Sequence, residues 1–129
     1  MSYPTNYRYT REHEWIALDG AIGTIGITDY AQKSLGDIVY VDVPKVGDTV
    51  TAGASFGSVE SVKAVSDLFS PVTGTVTATN DELKNSPDKI NEDPHGAWII
   101  KVALADPAQV NALLDAAAYE AFVAEETGN

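Results

Sequence analysis

Short apolar runs alternate with polar residues along most of this chain. Gly, Pro and Asp break them every few positions, which predicts a mainly β protein. Ala21 to Ile27 alternates behind Gly20 in the manner of a half-buried strand, with Gly23 and Gly26 inside it. Thr28-Asp29 then offers a helix N-cap, and Tyr30 to Leu35 fits a short helix stopped by Gly36. Asp37 to Val43 is the strongest strand signal, and the turn Pro44 to Asp48 leads into a strand at Thr49 to Ala52. Ala54 to Val62 and Val65 to Phe69 read as two arms of a hairpin. Ser70-Pro71 breaks the second arm, and Thr73 to Thr79 resumes as a strand with a bend at Gly74. Asn80 to Gly96 is polar, contains Pro87 and Pro94, and is long for a loop, a length that marks a site or a mobile segment. Trp98 to Leu104 returns as a strand.

The end of the chain is different in kind. Asp106 caps, Pro107 suits the first helical position, and Val110, Leu113, Leu114, Ala117 and Ala121 form one apolar stripe. That pattern predicts a single amphipathic helix over about 106–125, lying on the sheets. Glu125 and Glu126 oppose the helix dipole, so the end is expected to fray, with residues 127–129 disordered. The prediction is one domain over residues 1–129, a β sandwich or barrel with its core β unit at about 21–104.

Composition narrows the function. With 129 residues, 44% apolar and 21% charged, the chain is an ordinary globular domain with a modest core. It has no cysteine, so disulfides, thiolate metal sites and cysteine nucleophiles are excluded, and any thiol chemistry must come from an attached group. A formal charge of −11 opposes nucleic acid and steers the protein toward basic docking faces. Met1 to Asn6 lacks a basic n-region and no apolar run approaches the ~20 residues of a membrane span, so a cytoplasmic protein without membrane association is expected. No large apolar surface stripe is evident, and a monomer is expected.

Catalytic constellations are weak. His13 and His95 lie far apart and outside any metal-ligand spacing. Glu12-His13-Glu14 reads as a charged strand end beside Trp15 ahead of any acid–base role. Gly20, Gly23 and Gly26 fit a turn and strand bends rather than a phosphate loop, and Ser58, Ser61, Ser66 and Ser70 have no paired base. A non-catalytic protein is expected.

One feature remains. Thr-Val-Thr-Ala occurs at Thr49 to Ala52 and again at Thr75 to Ala78, and the midpoint of the two copies falls between Lys63 and Ala64. If each copy belongs to an equivalent strand of a two-fold β unit, the one lysine of this region sits at the turn on the pseudo-axis. A lone amine at a hairpin tip is suited to presenting a covalently attached group to other enzymes.

Ser58-Val59-Glu60-Ser61-Val62-Lys63-Ala64-Val65-Ser66-Asp67-Leu68-Phe69-Ser70-Pro71-Val72-Thr73-Gly74 resembles the lipoylation segment of the glycine cleavage system H proteins. Thr10 to Ile16 resembles that family's opening strand, Gly26 to Gln32 and Leu35 to Val41 its next block, and Asn91 to Pro94 with Trp98-Ile99 its segment before the last strand. The resemblance covers nearly the whole chain in order. Departures are small: His95 and Ala97-Trp98 stand where the family often has an aromatic residue and a Gly-Trp step.

The resemblance implies a barrel-sandwich hybrid fold and lipoate attached through an amide to Lys63. It implies that the arm takes an aminomethyl group from a pyridoxal-phosphate-dependent glycine decarboxylase to a tetrahydrofolate-dependent aminomethyltransferase. Dihydrolipoamide dehydrogenase then reoxidises the dithiol. Glu60, three positions before Lys63, is implied to be read by the attaching lipoate ligase or lipoyl transferase. Asp67 and Glu14 are candidates to pair with the ammonium of the aminomethylated arm. Four rival readings stay open. A biotin carrier normally flanks its lysine with methionines, whereas Val62 and Ala64 stand here. A lipoyl domain of a 2-oxo acid dehydrogenase is smaller and usually tethered by a linker. A lipoyl relay would donate its group to other apo-proteins, and a plain interaction module would carry no adduct at all.

Overall fold

Nine short strands and four α-helices follow one another along residues 3–127, which the computed structural model describes. The strands are β1 Tyr7–Tyr9, β2 Glu14–Asp19, β3 Ile22–Ile27, β4 Ile38–Asp42, β5 Thr49–Val50, β6 Ser55–Ser61, β7 Val65–Phe69, β8 Gly74–Thr79 and β9 Ile100–Leu104. They form a six-stranded antiparallel sheet in the order β1-β2-β3-β9-β8-β5 and a three-stranded antiparallel sheet, β4-β6-β7. The sheets bury one apolar core, with Ile16, Ile25, Ile100 and Val102 from the larger and Val41, Val59 and Leu68 from the smaller. This is the sandwich the alternation demands: each sheet has one apolar face and must cover it.

The repeated tetrapeptides meet only at their first residues. Thr49 pairs with Thr75 and Val50 with Gly74 in antiparallel register, so the two copies run away from each other along the pair, and the β6–β7 hairpin that lies between them in sequence carries Lys63. Only Thr49 and Val50 are strand; Ala52 makes a single bridge to Ser70. The sheet also starts before the alternating segment, because β1 and β2 extend it past β3.

Helix α1, Asp29–Leu35, is built as the caps predict. Thr28 accepts from the Ala31 N–H, and Gly36, at φ +79°, ends it in a conformation side chains disfavour. The segment Asn80 to Gly96 is not a plain loop. It contains two one-turn helices, α2 Glu82–Asn85 and α3 Lys89–Glu92, each burying one apolar residue, Leu83 and Ile90. Apolar anchors seven residues apart in a polar stretch carry too little periodicity to be read as helix.

The single terminal helix expected over about 106–125 is instead two elements, a 3-10 helix at Pro107–Ala112 and α4 at Ala116–Glu126. Leu114 bridges to Tyr9, with N–H···O bonds of 2.8 and 2.9 Å, which pulls the chain out of helix; Asp115 then caps α4 through the Ala118 N–H. The break rotates the face: Ala117 and Ala121 are exposed, and Ala116 and Tyr119 are buried. The helix runs to Glu126, which pairs with His13 at 2.8 Å. Thr127 donates from its backbone to Val123 O; residues 128 and 129, also expected to be disordered, lie outside the described residues.

A second, aromatic cluster joins α4 to the sheet. Tyr9 and Tyr119 stack at 4.8 Å, and Trp15 lies across Gly26, where a Cβ would meet its ring at 2.5 Å. The Trp15 indole N–H is shared between Ile27 O and Pro94 O, at 3.0 Å each.

Candidate functional site

Lys63 stands at the tip of the β6–β7 hairpin, and a buried serine fixes its backbone. The Ser61 N–H bonds to Ala64 O at 2.8 Å, while Ser61 Oγ accepts from the N–H groups of Lys63 at 3.3 Å and Ala64 at 3.1 Å. The Val62 N–H donates to Asp37 O at 3.0 Å, tying the tip to the start of β4. The turn is therefore held from inside while the lysine side chain projects. Its stem passes Gly36, where a Cβ would sit 3.6 Å from Lys63 Cε. Lys63 is exposed, and its ammonium makes no ion pair among the described residues.

Gly36 is itself held by Asn91, which sequence reading placed in a motif without a role. Asn91 accepts from the Ile38 N–H at 2.9 Å and donates to Gly36 O at 2.9 Å and to Gln32 Oε1 at 3.0 Å. One amide thus locks the α1–β4 corner that the lysine stem crosses. The serines were legible as residues without a base, but not as turn builders; a Ser two positions before an exposed turn residue was the available signal.

The other candidate residues divide into two groups. Glu60 is exposed, faces Tyr40 on β4 and Val65 on β7, and shares their side of the sheet. Asp67 is exposed opposite Ser58, and by strand alternation it lies on the same side of β7 as Val65 and Phe69. β7 runs from beside the lysine tip to Phe69, whose N–H donates to Glu14.

Glu14 lies at the far end. It is buried in a cleft of roughly 290 Å³ between Thr10, Glu12, Phe69, Pro71 and Leu113. Glu14 Oε1 accepts from the Thr10 hydroxyl at 2.6 Å and Oε2 from the Phe69 N–H at 3.2 Å. Burial pushes its carboxyl up to about 7, against the lowering effect of those hydrogen bonds, and Glu12 adds to the rise. The structure brings Glu14 to β7 but shows no direct contact between Glu14 and Asp67. A buried carboxyl in an apolar-walled cleft favours a cation there, since a positive group stabilises its charged form.

Neither histidine belongs to this cleft. His95 Nε2 accepts from the Asp29 N–H at 3.2 Å and burial lowers its basicity; the His13 ring turns toward α4. Among the described residues there is no cluster of acidic and histidine side chains that could hold a metal ion.

Residues 7–126 match the family model described as Glycine cleavage H-protein. Two relatives called glycine cleavage system H protein, from Acidobacterium capsulatum and Koribacter versatilis, are 69% and 62% identical over the full length of both chains. The crystal structure of a glycine cleavage system H protein from Mycobacterium marinum superposes with a TM-score of 0.85 at 40% identity, covering 98% of this chain and 100% of that one. Family model, full-length relatives and fold agree, and the chain belongs to the glycine cleavage H-protein family.

Proposed function

We propose that this chain is a single, non-catalytic carrier domain that bears lipoate on Lys63. It serves three enzymes of glycine cleavage: the pyridoxal-phosphate-dependent decarboxylase, the tetrahydrofolate-dependent aminomethyltransferase and dihydrolipoamide dehydrogenase. The observation that carries the reading is the state of Lys63: an exposed amine without an ion pair among the described residues, on a turn whose backbone is fixed by Ser61. When bound, the lipoyl group supplies a dithiolane sulfur that accepts the aminomethyl unit and a dithiol that is later reoxidised. The chain supplies tethering, which raises the effective concentration of that sulfur at each partner.

The remaining residues take roles by position. Glu60, on the outer face three residues before Lys63, is read by the lipoate ligase or lipoyl transferase. Glu14, with Asp67 on the strand between it and the tip, receives the cationic end of the arm and holds it in the cleft. Val62 and Val65 are exposed on either side of Lys63, where a partner must approach, and the monomer is the form that leaves them accessible. The acidic surface favours basic docking faces on each partner. No described helix is long and apolar enough to cross a membrane, and the cytoplasm is the compartment we assign. The test is glycine decarboxylation reconstituted with the three enzymes. Lipoylated protein should support turnover and Lys63→Arg should not; turnover with the variant would refute the assignment.

A further inference from the structure

His13 is the one non-glycine residue among those described with a positive φ, at 70°. It ends a tight turn in which its N–H bonds to Thr10 O at 3.2 Å and the Thr10 N–H bonds to Glu14 O at 2.9 Å. Such three-residue hairpin loops normally place glycine at this position, because a side chain is disfavoured there. Here the strained residue is a histidine immediately before Glu14, and its ring is held at both nitrogens. Nδ1 lies 2.8 Å from Tyr119 Oη and Nε2 2.8 Å from Glu126 Oε2, with Tyr30 and Phe122 packed against the ring at 4.6 and 5.7 Å.

One order of donors satisfies every group in this chain of contacts. The Ala31 N–H donates to Thr28 Oγ1 at 3.3 Å, the Thr28 hydroxyl to Tyr119 Oη at 2.7 Å, the Tyr119 hydroxyl to His13 Nδ1, and the His13 Nε2–H to Glu126. Thr28 and Tyr119 are fully buried, so each hydroxyl must have a partner, and this order gives every one an acceptor. A strained backbone persists where its surroundings over-determine it. What over-determines His13 comes chiefly from α4.

We propose that Tyr119 is a positioning residue for Glu14: through His13 it couples the seating of α4 to the placement of the Glu14 carboxyl against Phe69 in the cleft. Seated, α4 holds His13 in its left-handed conformation, and the next side chain points at the edge of β7. Released, His13 relaxes and Glu14 leaves the Phe69 N–H. A partner that lifts α4 would thereby loosen the cleft without touching it. The inference deepens the carrier reading, which assigns that cleft to the arm, but its readout requires no lipoyl group.

The test is native-state amide exchange of Phe69 in the full-length chain. The Ser70 N–H turns to Ala54 O at 3.0 Å, so the Phe69 N–H faces away from β6 and reports on Glu14. Tyr119→Phe keeps the ring and removes the hydroxyl. It should speed Phe69 exchange by roughly tenfold, the ratio of one lost hydrogen bond. The Ile99 amide, bonded to Ile25 O across the larger sheet, should follow only the change in global stability. In a His13→Gly background the turn needs no pin, and Tyr119→Phe should then leave Phe69 unchanged. Equal exchange in the single variant and the original chain would overturn the proposal. So would the same acceleration in the His13→Gly background, which would mean general loosening. If Phe69 responds as expected but the loaded arm decays at the same rate, the positioning stands and the assignment of the cleft to the arm falls.

Discussion

Glu14 Oε2 accepts the backbone N–H of Phe69 at 3.2 Å, so a carboxyl on β2 of the larger sheet closes the free edge of β7 in the smaller one. The same carboxyl is buried and titrates near 7 instead of at its ordinary 4.5. Because the folded value lies above the unfolded one, the folded state binds the extra proton between these values. The contribution of Glu14 to stability is therefore full below about 4.5, is lost as pH rises through about 7, and is level above it. The loss is about 3 kcal/mol for this group. Urea unfolding at pH 5 and pH 8 should show it, and Glu14→Gln should remove that part of the pH dependence.

Ser61→Ala removes the acceptor for two turn amides next to Lys63. Stability should fall by about 1 kcal/mol. Attachment of lipoate at Lys63 should slow several-fold, read as modified fraction against time by mass.

Asn91 makes three hydrogen bonds at the α1–β4 corner, two of them as donor. Asn91→Asp keeps the acceptor for Ile38 N–H but sets a carboxylate against Gly36 O. Both Asn91→Asp and Asn91→Ala should cost about 2–3 kcal/mol in urea unfolding, with the aspartate variant no better.

Glu60 is exposed and makes no ion pair among the described residues. Glu60→Gln should leave stability within about 0.5 kcal/mol. It should still slow ligase-dependent modification of Lys63. Unchanged modification kinetics would remove Glu60 from the recognition surface.

The fold was legible where the local pattern and the tertiary environment agree. The cap at Thr28, the stop at Gly36 and the hairpin around Lys63 are set by residues within a few positions, and they stand as expected. The terminal helix was not legible in the same way. Its break is made by Leu114 bonding to Tyr9, more than a hundred residues away, and only then does Asp115 become a cap. At the site, Lys63 could be read from its flanks, and Glu14 from the resemblance. That Glu14 reaches Phe69 depends on how the two sheets pack. The roles of Asn91 and of the His13–Tyr119 pair depend on contacts between elements distant in sequence, and no local spacing signals them.

The most direct test is the intact mass of the chain made with a competent ligase, with and without added lipoate, beside Lys63→Arg. One lipoyl increment that depends on lipoate and vanishes in the variant is expected. No increment, a biotin increment, or a lipoyl increment that persists in Lys63→Arg would contradict attachment at Lys63.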